Sequence, residues 1–219
     1  LYLIQMVRYM ILLSYLSLLY LLSMASLAHN QQLWIGLAGA PGSGKSTIAQ
    51  ELKAQIGEQL LVIPQDGYHY YRHELDTMNP THMHVRRGAS FTFNADKLVA
   101  DLVTARQKGE GCFPSFDHGV GDPVENDIHL SRQHRVIIVE GSFLLLDEPP
   151  WCNLKTHVFD ESWFINISLD ESNRRVTGRH VSLGLTPEQA SQRVAANDGI
   201  NAEIITKVSP ANADRLICI

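Results

Sequence analysis

Short, wholly apolar runs alternate along this chain with longer stretches whose apolar residues recur at helical spacing. Leu33–Gly39 is a run of the first kind, stops at glycine and predicts a buried strand. Ser46–Ile56 has helical period and ends before Gly57. Leu60–Gln65 predicts a second buried strand that leads straight into Asp66, and Arg135–Glu140 a third, Val-Ile-Ile-Val closed by an acid. Trp163–Leu169 predicts a fourth strand, and Arg215–Ile219 a last one. Asn94–Lys108 reads as a helix with Asn94 as its cap and Gly109 as its stop. Thr186-Pro187-Glu188-Gln189 opens another, with Thr as N-cap, Pro in the first turn and Gln three residues on. Between them, 67–93 is rich in His, Arg, Tyr and Gly without a period, and reads as a long substrate loop. Alternating strands and helices predict a doubly wound α/β fold, a mostly parallel sheet covered on both faces as a three-layer α/β/α sandwich.

The first 28 residues break this pattern. Tyr9–Ala28 is uncharged and dominated by Leu, Ile, Tyr and Met, long enough to span a bilayer as a helix. Ser26-Leu27-Ala28 resembles a signal-peptidase site behind Arg8. A membrane anchor, a secretory signal and a non-native leader all fit; the Leu1 start, with Met24 just ahead of the first strand, weighs toward the leader. The organisation is then an apolar extension, 1–28, and one domain, 29–219. The chain of 219 residues suits one α/β core. With 45% hydrophobic and 19% charged residues it is an ordinary globule, and a net charge of −5 with no basic run argues against nucleic acid as partner. Cys112, Cys152 and Cys218 are odd in number and far apart, which reads as free thiols in a reducing compartment.

Chemistry enters at Gly39-Ala40-Pro41-Gly42-Ser43-Gly44-Lys45-Ser46, followed by Thr47. The spacing is glycine, four residues, Gly-Lys-Ser, placed between a strand and a helix as a P-loop requires. Glycines at 39, 42 and 44 let successive amides face one point, at which the following helix aims its positive end. Lys45 is expected to reach the β- and γ-phosphates of ATP and the Ser46 hydroxyl to ligate Mg²⁺. In an open parallel sheet ligands lie beyond the carboxyl ends of the strands. Asp66 and Glu140 both fall there, Asp66 suited to take or orient the proton of an attacking hydroxyl and Glu140 to hold the metal's hydration shell. The need for ATP and Mg²⁺ favours a cytoplasmic location over export.

Asp66-Gly67-Tyr68-His69-Tyr70, the P-loop and Val139-Glu140-Gly141 together resemble the uridine kinase, phosphoribulokinase and bacterial pantothenate kinase superfamily, and within it a group of nucleoside/nucleotide-kinase-like proteins, some described as fructose-transport-system kinases. Arg86-Arg87-Gly88-Ala89, Pro114-Ser115-Phe116-Asp117-His118, Glu140–Leu145, Arg179-His180 and Asn197-Asp198 with Asn201-Ala202 extend the likeness from Leu33 to the C-terminus. The resemblance implies ATP-dependent transfer to an alcohol, with Asp66 as base. Helix-rich insertions of some relatives are missing, so their substrate pockets do not carry over.

Candidates for gripping the acceptor are His69, Arg86, Arg87, Asp117 and His118, the arginines suiting an anion and the others hydroxyls or ring nitrogens. His82 and His84 read as surface residues, and a zinc site from His69, His73, His82 and His84 lacks a recognised ligand spacing. Arg174, Arg175 and Arg179 occupy the place where P-loop kinases carry a lid over ATP; Arg175 and Arg179, four apart, share a helix face. The leading expectation is a small-molecule kinase, a phosphotransferase acting on an alcohol such as a sugar, nucleoside or pantothenate-like acid, with room for a homodimer. A nucleoside kinase stacking a base on Tyr68–Tyr71 is one alternative; an ATP-binding regulatory protein with little turnover is another.

Overall fold

The computed structural model describes residues 32–219. The extension read over 1–28 lies outside them. Five strands form one parallel sheet: β1 (Leu33–Gly39), β2 (Leu60–Pro64), β5 (Val136–Gly141), β6 (Glu161–Asn166) and β7 (Arg215–Cys218), in the order β2-β5-β1-β6-β7. The apolar runs form strands because both of their faces are covered. Along β1, Trp34 and Ala38 enter one core, while Leu33, Ile35 and Leu37 enter the other. The helix α1 (Lys45–Ile56) fills the second core with Ala49 and Leu52. The first core takes Leu98, Leu102 and Ala105 of α4 (Ala95–Lys108), Leu154 of α5 (Cys152–His157), and Ala202 and Ile205 of α8 (Gly199–Asn212). This is the three-layer arrangement that the alternation predicts.

Register then aligns the sheet's functional edge. Leu37 pairs with Glu140, which pairs on its other side with Pro64, so Gly39, Glu140 and Asp66 lie at neighbouring strand ends. The β1 strand is central, with β5 on one side and β6 on the other, and in open parallel sheets ligands lie beyond the carboxyl end of such a strand.

The expected helix caps form. Asn94 accepts from the Lys97 amide and Gly109 closes α4 at φ +74°. Thr186 and Gln189 make the reciprocal box that starts α7 (Pro187–Arg193). Two expectations change. The stretch 67–93 is no open loop: it holds α2 (Arg72–Thr77), α3 (Pro80–Val85) and a tight turn at Ser90–Thr92. The fourth strand ends at Asn166 rather than Leu169, because the Ser168 hydroxyl accepts from the Glu171 amide and starts α6 (Leu169–Ser182). Outside the main sheet an antiparallel hairpin, β3 (Gly111–Asp117) and β4 (Asp122–Leu130), covers the turn after β2. Its strands carry Pro114, Pro123 and several charges, so the alternation that marks a half-buried strand is weak in the sequence. Among the described residues no helix is long and apolar enough to cross a membrane.

Candidate active site

The cradle begins where β1 ends. Gly42 and Gly44 adopt φ +73° and +95°, which L side chains rarely take, and the Ser43 amide donates to the Ala40 carbonyl at 3.0 Å. A side chain at Gly42 would also press on Arg175 and Val176 of α6, so glycine there lets the helix close on the loop. Two bonds fasten that contact: the Ser172 hydroxyl donates to the Pro41 carbonyl at 2.7 Å, and Arg175 to the Gly42 carbonyl at 3.4 Å. Ser172 is a site residue that the sequence reading missed. Its signal, a small polar residue one turn into a helix rich in arginine, is too common to stand out. The Ser43 hydroxyl is buried and finds no hydrogen-bond partner among the described residues.

Lys45 and Ser46 open α1. The Ser46 hydroxyl donates to Glu140 Oε1 at 3.1 Å. Among the described residues, Lys45 donates to the Ala40 carbonyl, at 3.4 Å. Burial pulls the Lys45 ammonium below the usual lysine range, against the raising fields of Glu140 and Asp66; the positive field of Arg179 adds to the lowering. Burial likewise lifts the Glu140 carboxyl, opposed by Lys45 and reinforced by Asp66. Lys45 thus lies within the fields of Glu140, Asp66 and Arg179, and Glu140 within those of Lys45 and Asp66, while Thr47 is exposed.

Mg²⁺ prefers oxygen ligands and keeps several waters. One serine hydroxyl and one carboxylate at 3.1 Å suit it, since phosphate and water would complete the shell. Among the described residues no group of three or more His, Cys, Asp or Glu side chains is placed to hold a metal by itself.

Asp66 sits in a tight turn, Gln65–Tyr68, fixed from two sides. Gln65 is buried and its side-chain oxygen accepts from the Phe143 amide at 3.0 Å, against Gly141, where a side chain would collide with it. Gly67 lets the Pro114 carbonyl of β3 approach where any side chain would clash. The hairpin is thereby pressed onto the base candidate.

The acceptor candidates divide. His69 joins its ring nitrogen to the Asp66 carbonyl at 2.9 Å and lies 3.9 and 4.9 Å, centroid to centroid, from Phe93 and Phe116. Burial lowers its pKa, and it feels Asp66, Arg87 and His118. Arg87 lies over the Phe116 ring and donates to Asp122 and to the Tyr70 carbonyl, both at 3.1 Å. Asp117 gives one carboxylate oxygen to the amides of Gly119 and Val120 in the hairpin turn, and exposed His118 sits edge-on to Phe116. Arg86 instead turns away to Asn197, just before α8, and to Asn201 within it. Tyr68 is buried and donates to Asp101, so it is core rather than a base-stacking surface. Trp151 packs on Phe93 and Phe143 in the core, and Arg174 is exposed and paired with Glu171. His82 and His84 are exposed, as read.

A phosphate cradle at the end of a central parallel strand, a lysine and an acid beside it, and an arginine helix folded over it define a P-loop nucleotide-dependent kinase. The chain belongs to the phosphoribulokinase / uridine kinase family, whose model matches residues 34–174. It is 40% identical over 192 residues to the Schizosaccharomyces pombe protein named "Putative uridine kinase C227.14", covering 83% of this chain and 81% of that one. It is 36% identical over 150 residues to the ATP-dependent kinase-like protein notR′ of Aspergillus versicolor, covering 65% and 87%. Among solved structures it is similar to a protein from Silicibacter sp. TM1040 described as a "putative fructose transport system kinase", with TM-score 0.76, 28% identity and coverage of 88% and 95%.

Proposed function

We propose that this protein transfers the γ-phosphoryl group of ATP to a hydroxyl of a small metabolite in the cytoplasm. The observation that carries the reading is the Ser46–Glu140 contact at 3.1 Å beside Lys45, with Asp66 close enough for its charge to act on both Lys45 and Glu140. Magnesium–ATP would supply the transferable group, held by the amides of Gly39–Ser46, by Lys45 and, through the metal, by Ser46 and Glu140. Asp66 would orient the acceptor hydroxyl and take its proton; Arg175 and Arg179 would bring positive charge to the phosphates and exclude water. His69, Arg87, Asp117 and His118 would line the acceptor side. In such transfers positioning and electrostatics supply most of the rate, and every group named here serves one or the other.

A uridine-type nucleoside is the second reading. It is favoured by the name of the Schizosaccharomyces pombe relative and by the aromatic rings of Phe93 and Phe116 against His69.

The test is ADP release from ATP–Mg²⁺ over a panel of sugars, nucleosides and hydroxy acids, using wild type and Asp66→Asn. Phosphorylation of at least one alcohol is expected, with Asp66→Asn lowering kcat by about 10²–10⁴-fold while nucleotide affinity is kept. Full turnover by the variant would remove Asp66 from the base role, and silence across the panel would leave the regulatory reading in its place.

A further inference from the structure

The stretch linking α7 to α8, Val194–Asp198, is a single turn of π-helix. Such turns are rare and recur at functional sites, because the extra residue re-aims the side chains that follow. Here it aims three neighbours in two directions. Asn197 and Asn201 face the acceptor side. Their side-chain oxygens accept from Arg86 at 3.1 and 3.2 Å, and their amide groups donate back to the carbonyls of Arg87 and Gly88 at 2.8 and 3.1 Å. Both asparagines are buried. Asp198 faces the other way, onto α6, and holds the His180 ring nitrogen at 3.0 Å. His180 is itself buried and directly follows Arg179.

The segment gripped by the asparagines is stiff in itself. Gly88 stands at φ +100°, its amide donates to the Thr92 hydroxyl at 2.9 Å, and that hydroxyl donates to the Ala89 carbonyl at 2.8 Å. Arg87, whose own carbonyl is one of the two gripped, is the residue over Phe116 and acts on His69 through its charge. At the lid end, α8 comes close to α6: Gly199 lies where a side chain would meet Asn173. One short turn therefore joins the strap that aims Arg87 to the helix that carries Arg175 and Arg179.

We propose that Asn197, Asp198 and Asn201 are positioning residues that couple the two halves of the site, so that nucleotide phosphates held beside α6 set the 86–93 strap for the acceptor. This rests on the phosphoryl-transfer reading above. Arg86 is then a tether and not a contact to the acceptor. The coupling needs no acceptor to be detected, since its signature is a response of one segment to a ligand held by the other.

The experiment is hydrogen exchange by mass spectrometry on the full chain with and without ADP–Mg²⁺, for wild type, Asn197→Ala, Asn201→Ala and the isosteric Asp198→Asn. In wild type, ADP should slow exchange both in peptides over 39–47 and in peptides over 86–93. In the variants the first protection should persist, with ADP affinity within about two-fold, while the second falls to a third or less. Protection of 39–47 without any response at 86–93 in wild type overturns the coupling and leaves the kinase reading intact, as does an unchanged strap response in the variants. If even Asp198→Asn loses its fold by circular dichroism, or loses ADP affinity in proportion to strap protection, the network is only structural and the proposal falls. Absence of ADP binding by wild type would instead sink the kinase reading.

Discussion

His69 carries a titration consequence that does not depend on knowing the acceptor. Burial between Phe93 and Phe116 favours its neutral ring and lowers its native pKa below the value near 6.5 of an unfolded chain. Between those two values the unfolded state binds more protons, so stability rises with pH there. The contribution is complete above about 6.5 and is lost as pH falls through the lower native value. Urea midpoints measured from pH 7.5 down to 5 should therefore fall more steeply for wild type than for His69→Asn. Parallel curves would show that the ring is protonated equally in both states. At the same scale, the sequence already displayed Lys45, Ser46, Asp66 and Glu140, because each is tied by fixed spacing to a strand end. It did not separate Arg86 from Arg87. Adjacent in sequence, they point to different partners, asparagines in one case and Asp122 in the other, and nothing local to the pair encodes that.

Among the elements, the hairpin β3–β4 is the one whose role was hidden. Its edge strands lack a clean alternation, and only the packing of Pro114 against Gly67 reveals that it buttresses the turn holding Asp66. Gly67→Ala should therefore displace the hairpin at a cost of about 1–3 kcal/mol, as overpacking does, and lower turnover far more than nucleotide affinity. Thermal unfolding alongside nucleotide titration checks this; an unchanged stability and rate would mean that the hairpin and turn move apart freely. By contrast, α4 and α7 were legible down to their caps, since Asn94, Gly109, Thr186 and Gln189 act within a turn of where they stand. The same locality explains the early end of the fourth strand: Ser168 is a cap, and an apolar run does not record where a cap will cut it. The short helices α2 and α3 escaped because six residues are too few to display a period.

On the scale of the whole molecule, the alternation of apolar runs was enough to predict a doubly wound sheet, yet strand order is a property of pairing that no single run contains. The observed order puts β5 between β2 and β1, and that insertion alone sets Glu140 beside the P-loop and within range of Asp66. Every role proposed above depends on a nucleotide's phosphates occupying the point where these groups meet. Calorimetric titration of ATP into wild type and Lys45→Ala, each with and without Mg²⁺, tests this most directly. The account predicts one site per chain in wild type, tighter with Mg²⁺ than without, and an affinity lowered by at least about ten-fold in Lys45→Ala, the loss of one charge-assisted contact. Binding that ignores both the metal and the lysine, or no binding at all, would contradict it.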